Sequence, residues 1–228
     1  MATQSKQRPV IDHFQISTAL VAGSTVILVP PRSRELSQGD TGVETLANAA
    51  GTSTGGGTAT ELRDTGKTWT VNVYDGSIAR ITSGTGAGQA NYIVSNTATV
   101  LTMASSWRIT PDATSVYRIE VPCNTFFVLR SIYLSHATTA GTVTLNSRAF
   151  YQLGGAAFTE QEWAYNSGAG IANNVPWRGC LRGLTRGSIE MVTVAAVGSI
   201  TVEGYYLNDP SIGVGPTTST GVLQTFVE

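Results

Sequence analysis

The sequence predicts an all-β fold of the β-sandwich type with a small β-module inserted into it. Three observations point there. Short runs of apolar residues alternate with polar ones and recur at close, even spacing with turn residues between them, the pattern of stacked antiparallel strands. Helical periodicity is scarce. Charged residues make up 13 % of the 228-residue chain, against about a quarter in ordinary soluble domains; Thr, Ser and Gly fill the difference, a composition suited to stacked sheets and to a surface covered by partners.

Taken in order, Phe14, Ile16 and Thr18 alternate with polar neighbours, and Val26 to Val29 is a continuous apolar run ended by Pro30-Pro31, because proline cannot donate to a sheet ladder. Residues 41–50 and 58–64 ("TATELRD") are the two candidates for short helices. "GTSTGGGTAT" (51–60) reads as a flexible linker. From 67 to 119 a compact strand series follows. Trp69, Val71 and Val73 alternate, and then come Ile78 to Ile81, Tyr92 to Val94, Val100 to Met103, and Tyr117 with Ile119. Longer strands resume with "TFFVLRSIYLS" (125–135), "GTVTLNS" (141–147) and "GSITVEGYYL" (198–207). The stretch 165–180, rich in Gly, Asn and Pro, is expected to be a loop. The strands at 11–30 are too few for a sheet alone and are expected to pair with those at 120–208. The expected division is therefore a discontinuous sandwich of 1–50 and 120–208, an inserted module of 51–119, and a C-terminal extension of 209–228. That extension is polar until "VLQTFVE", where Val222, Leu223, Phe226 and Val227 suggest an arm that docks on a neighbouring subunit.

The run "GTGAGQANY" (84–92) raises the question of a nucleotide. A dinucleotide fingerprint needs a third glycine at 89 or 91, where Gln89 and Asn91 stand, and a helix after it to receive the phosphate. The following residues are β-like. "DTGKTW" (64–69) fails the P-loop pattern too, since Glu61 occupies the first glycine's place. The glycines are expected to supply positive φ in a tight or bulged connection between Ile81 and Tyr92.

Other chemistry is sparse. Cys123 and Cys180 are too few for a metal site and read as two small buried thiols. His13 and His136 lack a nucleophile elbow. Glu160 and Glu162 would share a strand face, as paired carboxylates in a glycosidase would, but acidic pairs are common in any β-protein. The sequence gives no catalytic residue, no cofactor and no metal ligand. Trp163 and Trp177, near expected loops, are candidates for contact with glycans. The net charge of −1 and the lack of a basic run argue against nucleic acid. Apolar stretches are too short to span a bilayer, and the N-terminus lacks the apolar core of a secretory signal, so synthesis in a cytoplasm without export is expected.

The segment 67–119, with its W-x-V-N-x-Y-x-G opening, "ITSGTGAGQ" turn, "SNTATVLT" hairpin and "TPDATSVY" ending, resembles a β-module that recurs in tailed-bacteriophage virion proteins. The resemblance covers about a quarter of the chain. The flanking runs "VPCNTFFVLRSIYLSHATTAGTVTLNS" and "RGSIEMVTVAAVGSITVEGYYL" are similar to strands of jelly-roll capsid decoration and fibre-head domains. The resemblance implies a jelly-roll-like β-sandwich and a structural, non-enzymatic role on the capsid exterior, as a homotrimer partnered with the major capsid protein or another virion protein. The alternative is a tail-fibre, baseplate or head-fibre adhesion module that binds host glycans.

Overall fold

The computed structural model describes residues 12–36, 46–136, 140–149, 158–167, 173–184, 186–195 and 198–208. Over these the chain is all-β. The strands are β1 (Asp12–Leu20), β2 (Thr25–Val29), β3 (Ser33–Glu35), β4 (Ala50–Thr52), β5 (Glu61–Arg63), β6 (Ile78–Ser83), β7 (Ala90–Asn96), β8 (Val100–Met103), β9 (Val116–Pro122), β10 (Thr125–His136), β11 (Gly141–Ala149), β12 (Phe158–Ser167), β13 (Asn173–Arg182), β14 (Ser188–Val194) and β15 (Gly198–Asn208), with one 3-10 turn at Leu46–Ala49.

Eight strands form two four-stranded antiparallel sheets, ordered β1-β15-β10-β13 and β12-β11-β14-β2. Counted among themselves these strands run 1-8-3-6 in one sheet and 5-4-7-2 in the other. Each sheet turns one face inward because its strands alternate. Phe127, Leu129, Ile132, Leu134, Ile200 and Val202 meet Leu28, Val143, Leu145, Ile189 and Met191 in one core. The inward positions of β10 change parity between Leu129 and Ile132. A register shift between Leu129 and Ser131 absorbs the change: Arg130 is the extra residue, and without this bulge Ser131 and Tyr133 would point into the core.

The remaining strands form a third sheet, β3-β9-β6-β7-β8-β5, with β4 also on β9. It has its own core of Leu62, Trp69, Tyr74, Ile81, Ile93, Leu101, Tyr117 and Ile119, among others. The whole unit lies between β2 and β10 of the sandwich. Residues 33–36 and 46–50, expected with the sandwich, belong to this third sheet and its core instead, since β3 and β4 pair with β9 and Leu36 and Ala49 pack beside Ile119.

Three local expectations fail for identifiable reasons. Residues 58–64 are not helical: a turn at Ala59–Thr60 leads into β5, whose Leu62 is fully buried opposite Leu101 of β8. Trp69, Val71 and Val73 do not form a strand. Asn72 takes a left-handed φ of 59°, which asparagine tolerates better than most residues. It exchanges hydrogen bonds with Asn96: Asn96 N donates to Asn72 Oδ1 and Asn72 N donates to Asn96 O, while Tyr74 N donates to Asn96 Oδ1. The result is a turn that buries Trp69 and leaves Val71 exposed. The expected loop at 165–180 is mostly strand, the end of β12 and most of β13. Pro176 is accommodated because β13 is an edge strand, bonded only to β10.

Candidate functional site

A concavity lies where the sandwich meets the inserted unit. One wall is the β1–β2 turn. There Gly23 supplies a φ of 70°, Ser24 N donates to Val21 O, and the Thr193 hydroxyl ties Ser24 and Val21 to β14. The facing wall is built from Gly86–Gln89 and Ser106–Ile109. Ser106 N donates to Thr25 O at 3.1 Å, joining this wall to the edge of β2. Trp107, Val26 and Met191 lie at the base, all buried, and Val21 and Ile109 stand exposed at the rim. The cleft encloses about 580 Å³, the size of a small-ligand site.

The glycine run shapes this wall. Gly84, Gly86 and Gly88 have φ of 76°, 79° and 88°, as expected for a tight connection between Ile81 and Tyr92. A Cβ on Gly86 would fall 2.0 Å from Gln89 Nε2. The bare backbone leaves room for the Gln89 amide, which donates to Ile109 O and accepts from Ile109 N, clamping the second loop to the first. β7 follows the run, so no helix N-terminus faces it.

One polar residue of the cleft that no sequence motif marks is Arg108. Its side chain meets solvent, yet the walls desolvate it enough to pull its pKa below the ordinary guanidinium value. No carboxylate among the described residues pairs with it. Arg148 and Arg80, by contrast, are spent on the framework. Glu190, buried on the outer face of β14, accepts from Arg148 Nη1 and Ser105 Oγ, each at 2.6 Å, and Arg148 also donates to Ala104 O. Burial alone would raise the Glu120 carboxyl; bonds from Ser33, Arg80 and Arg118 outweigh this and hold it below the usual range. The Glu190 group joins the two units across their junction.

Trp163 and Trp177 lie on strands β12 and β13 and not on loops. Both are half-buried against the sandwich core, and Trp163 stacks on Tyr165 with centroids 6.3 Å apart. Val222, Leu223, Phe226 and Val227 lie outside the described residues. The thiols of Cys123 and Cys180 are free; they are not the two buried thiols expected, since Cys180 is exposed on the edge strand β13 and Cys123 is half-buried at the junction. Glu160 and Glu162 do sit on an extended strand. The register passes from Leu145–Trp163 to Asn146–Gln161, so Glu162 is the extra residue of a bulge. Its Oε1 is buried with no hydrogen-bond partner among the described residues, and burial, then the neighbouring Glu160, push its pKa up to about 7. This carboxyl can exchange a proton near neutrality, but it does not line the cleft.

No family model matches the chain, and no curated protein or solved structure matches it either.

Proposed function

We propose that the chain is a structural protein of a tailed-bacteriophage virion, a decoration protein that stabilises the capsid from outside by bridging its subunits. The observation that carries the reading is the architecture. A two-sheet sandwich with the strand order 1-8-3-6 and 5-4-7-2 fits two interlocked Greek keys, the jelly roll, and a second β-unit stands on it through the Glu190–Arg148–Ser105 junction. Such a body offers the faces of two β-units joined through a buried ion pair, which suits a clamp across neighbouring shell subunits. The wording of segment 67–119 and the charge-poor composition support the same reading. A clamp that binds only the assembled shell stabilises it by mass action. Its partners are the major capsid protein and two further copies of itself in a homotrimer, assembled in the host cytoplasm.

The test is quantitative mass spectrometry of purified virions. A decoration protein is present at a copy number matching a class of capsid symmetry sites. A handful of copies per particle, together with glycan binding lost on Trp163→Ala or Trp177→Ala, would assign it to a fibre or baseplate instead. Absence from the particle would overturn the virion reading.

A further inference from the structure

We propose that the cleft between the β1–β2 turn and the 106–109 loop receives the segment Val222–Glu228 of a second copy of this chain. The inference deepens the arm reading above by naming where the arm binds, and it commits to a protein occupant of one chemistry: an extended segment with aliphatic and aromatic side chains and one carboxylate.

The cleft's own chemistry specifies that occupant. Its base and rim are apolar, with Trp107, Val26 and Met191 below and Val21 and Ile109 standing 62 % and 56 % exposed above. Large aliphatic side chains exposed together at a concave edge mark an interaction site. Between them Arg108 is a partly desolvated cation with no carboxylate to answer it among the described residues. A ligand that suits both features is apolar along its length and acidic at one point. The sequence "VLQTFVE" has that composition, with four large apolar residues and a single charge at Glu228.

The topology favours a second copy as donor. β15 ends at Asn208, beside Thr125 of β10, whereas the cleft lies by Leu20, which pairs with Gly198 at the other end of the same strand. The ten residue steps between those ends span about 34 Å. The thirteen residues 209–221 reach roughly 43–47 Å only when fully extended. Docking into the same molecule would therefore draw the connection out along the sandwich, at a large cost in chain entropy. A neighbour placed head to tail brings its cleft to the Asn208 end and leaves that connection slack. Such a contact is heterologous, and it closes into a ring where the rotation permits.

The experiment places a photoreactive benzoyl-phenylalanine at position 226 of the full-length chain. Isotopically light and heavy copies are mixed, irradiated, and the cross-linked peptides identified by mass spectrometry. The expected result is light–heavy cross-links to peptides containing residues 19–26 or 106–109. Arg108→Glu should lower their yield about fivefold, the effect of losing one partly shielded ion pair, and adding Glu228→Lys should restore it. Arg108 is exposed on a loop, and an unchanged circular dichroism spectrum checks that the variant is folded. Cross-links confined to a single copy, cross-links landing elsewhere, or a yield indifferent to Arg108 would overturn the proposal. Purified protein suffices, so this result and the virion copy number fail independently.

Discussion

The sandwich and the inserted unit are both antiparallel β-structure, yet different forces hold them. The sandwich core is almost wholly aliphatic, drawn from the inner faces of two sheets, with Phe127 its one fully buried ring among the described residues. The inserted unit buries Trp69, Tyr74, Trp107 and Tyr117 together with many polar groups, including Asp64, Asn91, Asn96 and Glu120. Most of those groups are paired, although Asn91 Oδ1 is buried with no hydrogen-bond partner among the described residues. Tyr117 donates to Asp64 at 2.8 Å, Asn91 Nδ2 donates to Ser105 O, and Trp69 Nε1 donates to Asn48 O. Strands of three to seven residues cannot exclude water by length alone, so the small unit relies on directed bonds to specify its turns. A region held by non-directional burial tolerates sequence change that keeps volume and pattern; a region held by buried hydrogen bonds does not.

The strongest test of this contrast removes Phe127. Phe127→Ala should destabilise the protein by about 3–5 kcal/mol through lost burial and a residual cavity. The informative measurement is whether both regions melt together. Tryptophans report on each, Trp69 and Trp107 on the inserted unit and Trp163 and Trp177 on the sandwich. Urea transitions followed in variants keeping one pair should coincide, because the junction couples the units. Separate midpoints would mean that each unit is stable without the other.

The next largest effect is expected at the junction itself. Glu190→Ala leaves the Arg148 guanidinium and the Ser105 hydroxyl without their carboxylate in a buried site. Breaking such a pair from one side costs about 3 kcal/mol. Replacing both charges, as in Glu190→Leu with Arg148→Met, should recover most of that loss. A single variant as stable as the parent, by urea midpoint, would show that the ion pair contributes nothing to joining the units.

The same contrast explains what was legible in the sequence. The sandwich strands were readable because alternation is a direct record of a two-faced sheet: Val143 with Leu145, and Ile200 with Val202, are inward pairs on adjacent positions of one face. The glycine run was readable because positive φ leaves few residue choices. The alternation of Trp69, Val71 and Val73 misled because the Asn72–Asn96 exchange overrides it, and a partner twenty-four positions away leaves no local trace. β13 was hidden by Asn, Gly and Pro, which an edge strand accepts. Of the cleft, the sequence marked the glycines and not Arg108, whose significance comes from having no carboxylate partner among the described residues.

The smallest predicted effect concerns the edge of the sandwich, where the aliphatic region departs from its own rule. Glu162 is a carboxyl forced into a bulge beside Glu160, with one oxygen buried and unbonded. Its ordinary pKa of 4.5 rises to about 7 in the folded protein. Between these values the folded state holds a proton that the unfolded chain releases. Stability contributed here is therefore greatest at low pH, falls as pH rises from 4.5 to about 7, and is level above. The full shift would correspond to roughly 3 kcal/mol at 1.36 kcal/mol per unit; the side chain is partly solvated, and solvent screening reduces the expectation to about 1 kcal/mol. Glu162→Gln keeps the shape and removes the titration. It should match the parent near pH 4, where both carry a neutral group, and exceed it by that amount near pH 8. Urea midpoints at the two pH values measure the difference. A variant that gains nothing at the higher pH would mean that the carboxylate is already accommodated, and that the sandwich edge, like the inserted unit, is held by polar contacts rather than by burial alone.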